Sequence, residues 1–248
     1  LNRLFLMVLE FLELMPQSQC KRTVKNVVEN TEKFLELKQK TCNEFGRKNS
    51  EVITVGASKA QNIKSIQQAF EGGIKNFGEN YLQEAEEKIE HLPSDITWHF
   101  IGSIQSRKSK KIARLFNWVH TIERIEIAEL LNNARPKELG QLNVCIQINL
   151  DSEKSKSGIR IEEVDHFMLE LQRMKNLKVR GLMSIPKPKE KEKQRQSFKK
   201  LKNKLNELKK NYNDLDTLSM GMSADYQEAI AEGSTIIRIG TNIFGQRQ

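Results

Sequence analysis

Apolar positions in this chain repeat with two periods, and the two take turns along it. From about Lys21 to Phe45 a helical spacing carries Val24, Val27, Val28, Phe34, Leu35 and Leu37 and runs out near Gly46, which predicts an N-terminal helix. Beyond it, short apolar runs at 51–58, 75–79, 97–101, 118–122, 143–149, 178–185, 216–220 and 235–239 read as eight strands. Helices are expected near 62–72, 81–90, 107–116, 124–134, 161–175, 192–211 and 223–232, several of them ending in Gly or Asn. Seven helices linking eight short strands is the pattern of a parallel sheet with crossover connections. Such a sheet is either open and doubly wound or closed on itself. No GxGxxG follows the first strand, and the alternation stays regular until only Phe244 to Gln248 remain as a tail, so an α/β fold closed into a single (β/α)₈ barrel is expected. The length of 248 residues suits one such barrel, which commonly takes about 250.

The first residues depart from this pattern. Leu4 to Leu14 are mostly apolar, yet Glu10 and Glu13 interrupt a run already too short to span a bilayer. Arg3 is a minimal positive region, and no small-residue cleavage site follows before Pro16 and Gln17. Met15 stands just ahead of the first polar, helix-like segment. Residues 1–14 are therefore expected to be an upstream translated extension, with the barrel domain over 15–248.

Composition narrows the class. Hydrophobic residues are 38% and charged ones 29%, a soluble globular balance that excludes a disordered chain. The formal charge of +9 invites a nucleic-acid partner, so its location matters. Between Lys187 and Lys210 stand eleven Lys or Arg against three Glu, nearly the whole excess. Phe198, Leu201, Leu205 and Leu208 recur there at helical spacing, so the lysines read as solvated faces of one amphipathic helix, with neither nucleic acid nor membrane expected as partner. The Lys/Glu run at 187–193 reads as an exposed loop entering that helix. Cys20, Cys42 and Cys145 form no CxxC pair and no zinc pattern with the four histidines, which suits a reducing, cytoplasmic compartment.

Barrel active sites form where strands end, and phosphates are often held by the loops after strands 7 and 8. Strand 7 runs into Ser219-Met220-Gly221-Met222-Ser223, and strand 8 into Arg238-Ile239-Gly240-Thr241. Glycines let backbone N–H groups approach a ligand, and hydroxyls can donate to phosphate oxygens. Ser223 is also placed to cap the helix that follows strand 7. Taken alone, these loops equally fit ordinary strand-end turns. Lys59 shares its parity with Val55 and Ala57 at the end of strand 1, which would send its amine into the barrel mouth. A partly desolvated amine is nucleophilic enough to form a Schiff base with an aldehyde or ketone; by position alone, Lys59 fits a surface lysine as well. Arg238, inside the run Ile236-Ile237-Arg238-Ile239, shares the parity assigned to the interior with Ile236 and Gly240, and needs an acceptor there: a pyridine nitrogen or a buried carboxylate would serve.

Ser58-Lys59, FGENYLQEA at 77–85, WHFIGSIQSRK at 98–108, KSKSG at 154–158, GLMSIP at 181–186, LSMGMSADYQEAI at 218–230 and GSTIIRIGTNIFGQR at 233–247 together resemble the pyridoxal phosphate homeostasis protein family over about residues 21–247. The resemblance implies a barrel like the N-terminal domain of alanine racemase, with pyridoxal 5′-phosphate (PLP) held as an internal aldimine on Lys59. It also implies Arg238 as the partner of the pyridine nitrogen, Ser219, Gly221, Ser223, Gly240 and Thr241 as the phosphate site, and Asn80 with His99 near the ring. A permanently charged guanidinium would keep that nitrogen unprotonated and weaken the ring as an electron sink, which favours keeping the cofactor over using it. Ala57 stands where a larger β-branched residue is expected, and Ala60-Gln61-Asn62 lacks a proline.

The function implied is a monomeric, non-enzymatic PLP carrier with no catalytic residues, supplying apo-enzymes that depend on PLP. An amino-acid racemase on the same cofactor is the alternative; it needs an acid and a base on opposite faces of the substrate, and no second domain is visible to bring one. A Schiff-base aldolase, with Lys59 attacking the substrate directly, is another. His99 and His120 each lie near a tryptophan, and a metal pair lacks a third ligand, so packing or cofactor contact is expected of them and no metal. Met168, Met174, Met183 and Met222 read as core or pocket filler. Tyr81 and Tyr226 lie near strand-end loops without a clear catalytic role.

Overall fold

Each short apolar run that ends at a turn signal folds as a strand, and each 3.6-periodic stretch between them folds as a helix laid on the outside. The computed structural model describes residues 27–151 and 157–246. The strands are β1 (Ile53–Ala57), β2 (Asn76–Glu79), β3 (Thr97–Phe100), β4 (Trp118–Ile122), β5 (Leu142–Gln147), β6 (Leu177–Met183), β7 (Thr217–Met222) and β8 (Ile236–Ile239). They pair in parallel, in sequence order, and β1 closes on β8, so the sheet is a closed barrel. The helices are α1 (Val27–Glu44), α2 (Ile63–Glu71), α3 (Leu82–His91), α4 (Ser109–Leu115), α5 (Ile125–Ala134), α6 (Val164–Leu171), α7 (Lys191–Leu208), α8 (Tyr226–Ala231) and α9 (Thr241–Phe244). All eight expected strands and seven connecting helices are present. Thr241–Phe244 coil into α9, so the tail expected from Phe244 begins one residue later, at Gly245.

The extension read at residues 1–14, Cys20, the start of the N-terminal helix at Lys21–Asn26, Lys154–Lys156 and Arg247 lie outside the described residues. Among the described residues no helix is long and apolar enough to cross a membrane.

Alternation along the strands separates two cores. Outward residues such as Trp98, Phe100, Val119, Val144, Ile146, Leu182, Met220, Ile237 and Ile239 pack under the helices in one large cluster. Inward residues form a small second cluster of Val55, Trp118, Cys145, Met183 and Ile236. The rest of the interior is polar: His99, His120, Ser219 and Arg238 are all buried there. Barrel interiors are usually filled by branched apolar side chains. This one keeps a polar column instead.

On the basic helix α7, Phe198, Leu201, Leu205 and Leu208 are buried as the periodicity requires. Arg135 closes the end of α4: its Nη1 donates to Ala113 O and Phe116 O at 2.7 and 2.9 Å.

Candidate functional site

The C-terminal ends of β1, β7 and β8 surround a cavity of about 330 Å³, at the small end of the roughly 300–1,000 Å³ typical of ligand pockets. Lys59, Asn80, Arg238, Gly240, Thr241 and Ser223 all line it, with Ala57, Ile101, Met183 and Met222 supplying apolar walls. A wider groove of about 510 Å³ lies at the opposite end, by Gln141, Leu177 and Lys178 where β5 and β6 begin. Conserving chemistry at that end is not what barrels do; residues there serve stability.

Lys59 sits two residues past β1, in a tight turn whose next residue, Ala60, takes a left-handed φ of 59°. Such a backbone costs about 1–3 kcal/mol in a residue with a side chain and persists only where its surroundings impose it. The imposing groups include a buried ion pair, Glu79 with Lys88. Ser58 Oγ donates to Glu79 Oε1 at 2.6 Å, and Lys88 Nζ donates to the same carboxylate oxygen at 2.8 Å and to Ser58 O at 2.9 Å. Glu84 Oε2 takes the Ala60 N–H at 2.8 Å. Burial pushes the Glu79 carboxyl up from its ordinary pKa, against the Lys88 and Ser58 hydrogen bonds that pull it down. The turn that carries Lys59 is thus tied to β2 and α3 by one ionic cluster. In place of a proline at the exit from the turn, Asn62 caps α2 by accepting the Ser65 N–H at 2.8 Å.

Arg238 is 4% exposed and lines the cavity from below. Its Nη1 donates to Ser219 Oγ at 2.5 Å and its Nη2 to Ser184 O at 3.1 Å. Burial lowers its pKa to about 10, with Asp225 and Cys145 opposing, so it stays a cation at neutral pH. Neither partner is a carboxylate, and two acceptors leave part of a five-donor guanidinium for a ligand.

The hydroxyl of Ser223 does not cap the helix after β7: the N-cap residue is Asp225, which makes no side-chain capping bond and instead accepts the Met222 N–H at the end of β7 with Oδ1 at 2.7 Å. Ser223 Oγ instead accepts from Gly240 N at 3.3 Å and Asn242 N at 3.4 Å, bridging the β7 and β8 loops. These long bonds leave N–H groups that an anion could take over. A Cβ on Gly240 would meet only Ala57, at 3.6 Å or more, so the room it leaves belongs to the cavity. Lysine amine, guanidinium, hydroxyls and N–H groups around a small cavity fit an anionic aromatic aldehyde such as PLP.

Three expected members lie elsewhere. Ser219 is fully buried beneath Arg238, bonded to it and to His120, so it does not line the cavity. Gly221 faces outward at φ 95°, where a Cβ would stand 2.5 Å from Ala229 Cβ on α8. His99 is fully buried inside the barrel, stacked on Trp118 at 5.6 Å between ring centroids.

The sequence model of the family described as "Alanine racemase, N-terminal domain" matches residues 44–248. The pyridoxal phosphate homeostasis protein of Escherichia coli (strain K12) is 44% identical over 207 residues, 82% of this chain and 88% of that protein. The protein of the same name from Vibrio cholerae is 42% identical over 232 residues, 91% of this chain and 97% of that protein. The chain belongs to the pyridoxal phosphate homeostasis protein family. Among solved structures, PipY of Synechococcus elongatus PCC7942 with PLP bound is 29% identical with a TM-score of 0.72, over 84% of this chain and 100% of that one. Within this family member, Glu79, Glu84 and Lys88 are the residues sequence reasoning passed over. Glu79 is the charged residue that closes β2 inside the FGENYLQEA segment, and Glu84 and Lys88 are one helical turn apart, the only traces of the cluster in the sequence.

Proposed function

We propose that this chain binds PLP covalently through Lys59 and serves intracellular PLP homeostasis, keeping the cofactor and supplying it to apo-enzymes without robust catalysis of its own. The observation that carries the reading is the convergence of Lys59, Arg238, Ser223, Gly240 and Thr241 on one small cavity at the C-terminal end of the barrel. The name shared by its relatives and the PLP in PipY support it.

PLP, when bound, supplies an aldehyde carbon and an electron-withdrawing ring. Lys59 offers the amine. Arg238 donates to the pyridine nitrogen and, as a permanent cation, does not pass a proton to it, which limits the ring's pull on electrons. Ser223, Thr241 and the Gly240 N–H take phosphate oxygens, and Asn80 stands at the ring's edge. These roles retain the cofactor and leave turnover unserved. The chain works as a monomer in the cytoplasm, where its buried thiols Cys42 and Cys145 stay reduced.

Racemisation is the second reading, favoured by the family description; Tyr81, 58% exposed just past β2 beside Asn80, is the group it would recruit. Purified protein given PLP is expected to show a visible absorbance band that Lys59→Ala abolishes, with no exchange of an amino acid's α-hydrogen. A band that survives in Lys59→Ala moves the attachment elsewhere, and a colourless wild type favours the aldolase.

A further inference from the structure

Five side chains from five strands form one hydrogen-bonded column across the barrel. Asn76 Oδ1 on β2 lies 3.0 Å from His99 Nε2 on β3. His99 Nδ1 lies 2.8 Å from His120 Nε2 on β4, and His120 Nδ1 lies 2.7 Å from Ser219 Oγ on β7. Ser219 Oγ receives Arg238 Nη1 on β8.

The column has a direction, and both ends give the same one. A carboxamide oxygen only accepts, so His99 carries its proton on Nε2 and accepts on Nδ1. His120 then donates from Nε2 and accepts on Nδ1. From the other end, a guanidinium only donates, so Ser219 accepts from Arg238, and its own proton has one acceptor within reach, His120 Nδ1. Every donor meets one acceptor, and both imidazoles are neutral. A proton added to His120 Nδ1 would displace the Ser219 proton from its only acceptor and set a second cation near Arg238. Burial agrees: it lowers the pKa of His99 to about 3, and that of His120 well below the usual value, helped by His99 and Arg238.

We propose that His120 and His99 are positioning residues for Arg238, locking the Ser219 hydroxyl so that its lone pair holds one edge of the guanidinium while the remaining donors face the cavity. This rests on Arg238 meeting the PLP ring. With the column intact, the guanidinium has one orientation. With it cut, Ser219 rotates freely and Arg238 loses a fixed contact, which changes how the ring nitrogen is held.

Two measurements test this, one without cofactor. Long-range ¹H–¹⁵N correlation spectra of the cofactor-free chain are expected to show His99 and His120 neutral and protonated on Nε2, with the exposed His91 and His166 as internal references. A proton on Nδ1 of either buried histidine overturns the direction of the column. In PLP-loaded protein, His120→Leu and Ser219→Ala are each expected to displace the visible band and move its pH midpoint by about half a unit or more. The double variant adds little to either, because both cut one chain. His120→Asn, whose carboxamide oxygen can take the place of Nδ1, is expected to restore much of the wild-type profile. A wild-type profile in both His120→Leu and Ser219→Ala overturns the positioning role. Failure of the wild type to form any adduct at Lys59 instead defeats the PLP reading and leaves the spectral assignment standing.

Discussion

Two imidazoles buried beside a guanidinium make the barrel interior costly to protonate. Folding lowers the pKa of His99 to about 3 and that of His120 well below normal, whereas in the unfolded chain both sit near about 6.5. A base whose folded pKa is depressed lends stability that is complete above the unfolded value and drains away as pH falls through the interval between the two. Stability is therefore expected to decline below about pH 6.5, at up to about 1.4 kcal/mol per pH unit for each histidine. Urea unfolding at about pH 7.5 and about pH 5 measures it, and His120→Asn should lose less between the two. An equal loss in wild type and variant would mean that His120 is not held neutral. Of the residues in the site, Arg238 was legible because an arginine within an isoleucine run breaks a local rule, whereas Lys59 by position alone fitted a surface lysine as well and stood out only through the family resemblance. The Glu79–Lys88 pair was not legible. A buried ion pair looks like any two surface charges until the turn at Ala60 brings them under Ser58.

At the level of elements, hydrophobic periodicity located every strand and connecting helix, with ends shifted by a few residues at most. It misread the end of β7. Ser219, Gly221 and Ser223 were expected at the phosphate site from the glycine and hydroxyls of the run after strand 7 and from the family resemblance, neither of which shows how the strand ends. The ladder between β7 and β8 slips: Ser219 pairs with Ile236 but Met222 pairs with Arg238, so one extra residue sits in β7. Ser219, ahead of the slip, points into the column, while beyond it Gly221 faces out against α8 and Met222 and Ser223 reach the cavity. Bulges of this kind re-aim side chains near active sites. Gly221→Ala is accordingly expected to destabilise the fold by about 1–3 kcal/mol, from the left-handed backbone and the contact with Ala229, and to weaken PLP retention. Thermal unfolding and a cofactor-release assay check both; an unaffected variant would show that the bulge tolerates a side chain.

Across the whole molecule, closure was legible in the absence of GxGxxG after the first strand and in alternation that never breaks. The polar column was not, because it joins strands far apart in sequence whose facing positions only the closed barrel defines. The basic excess falls on α7, whose apolar stripe is buried while Lys204 reaches Asp165 and Arg195 reaches Glu232, so the charge there serves a solvated surface. The proposed chemistry gathers at the other kind of place, the strand ends around Lys59. Borohydride reduction of the PLP-loaded chain followed by peptide mass mapping tests that assignment most directly. A phosphopyridoxyl group on Lys59 is the predicted result, and one on any other lysine, or none at all, would contradict it.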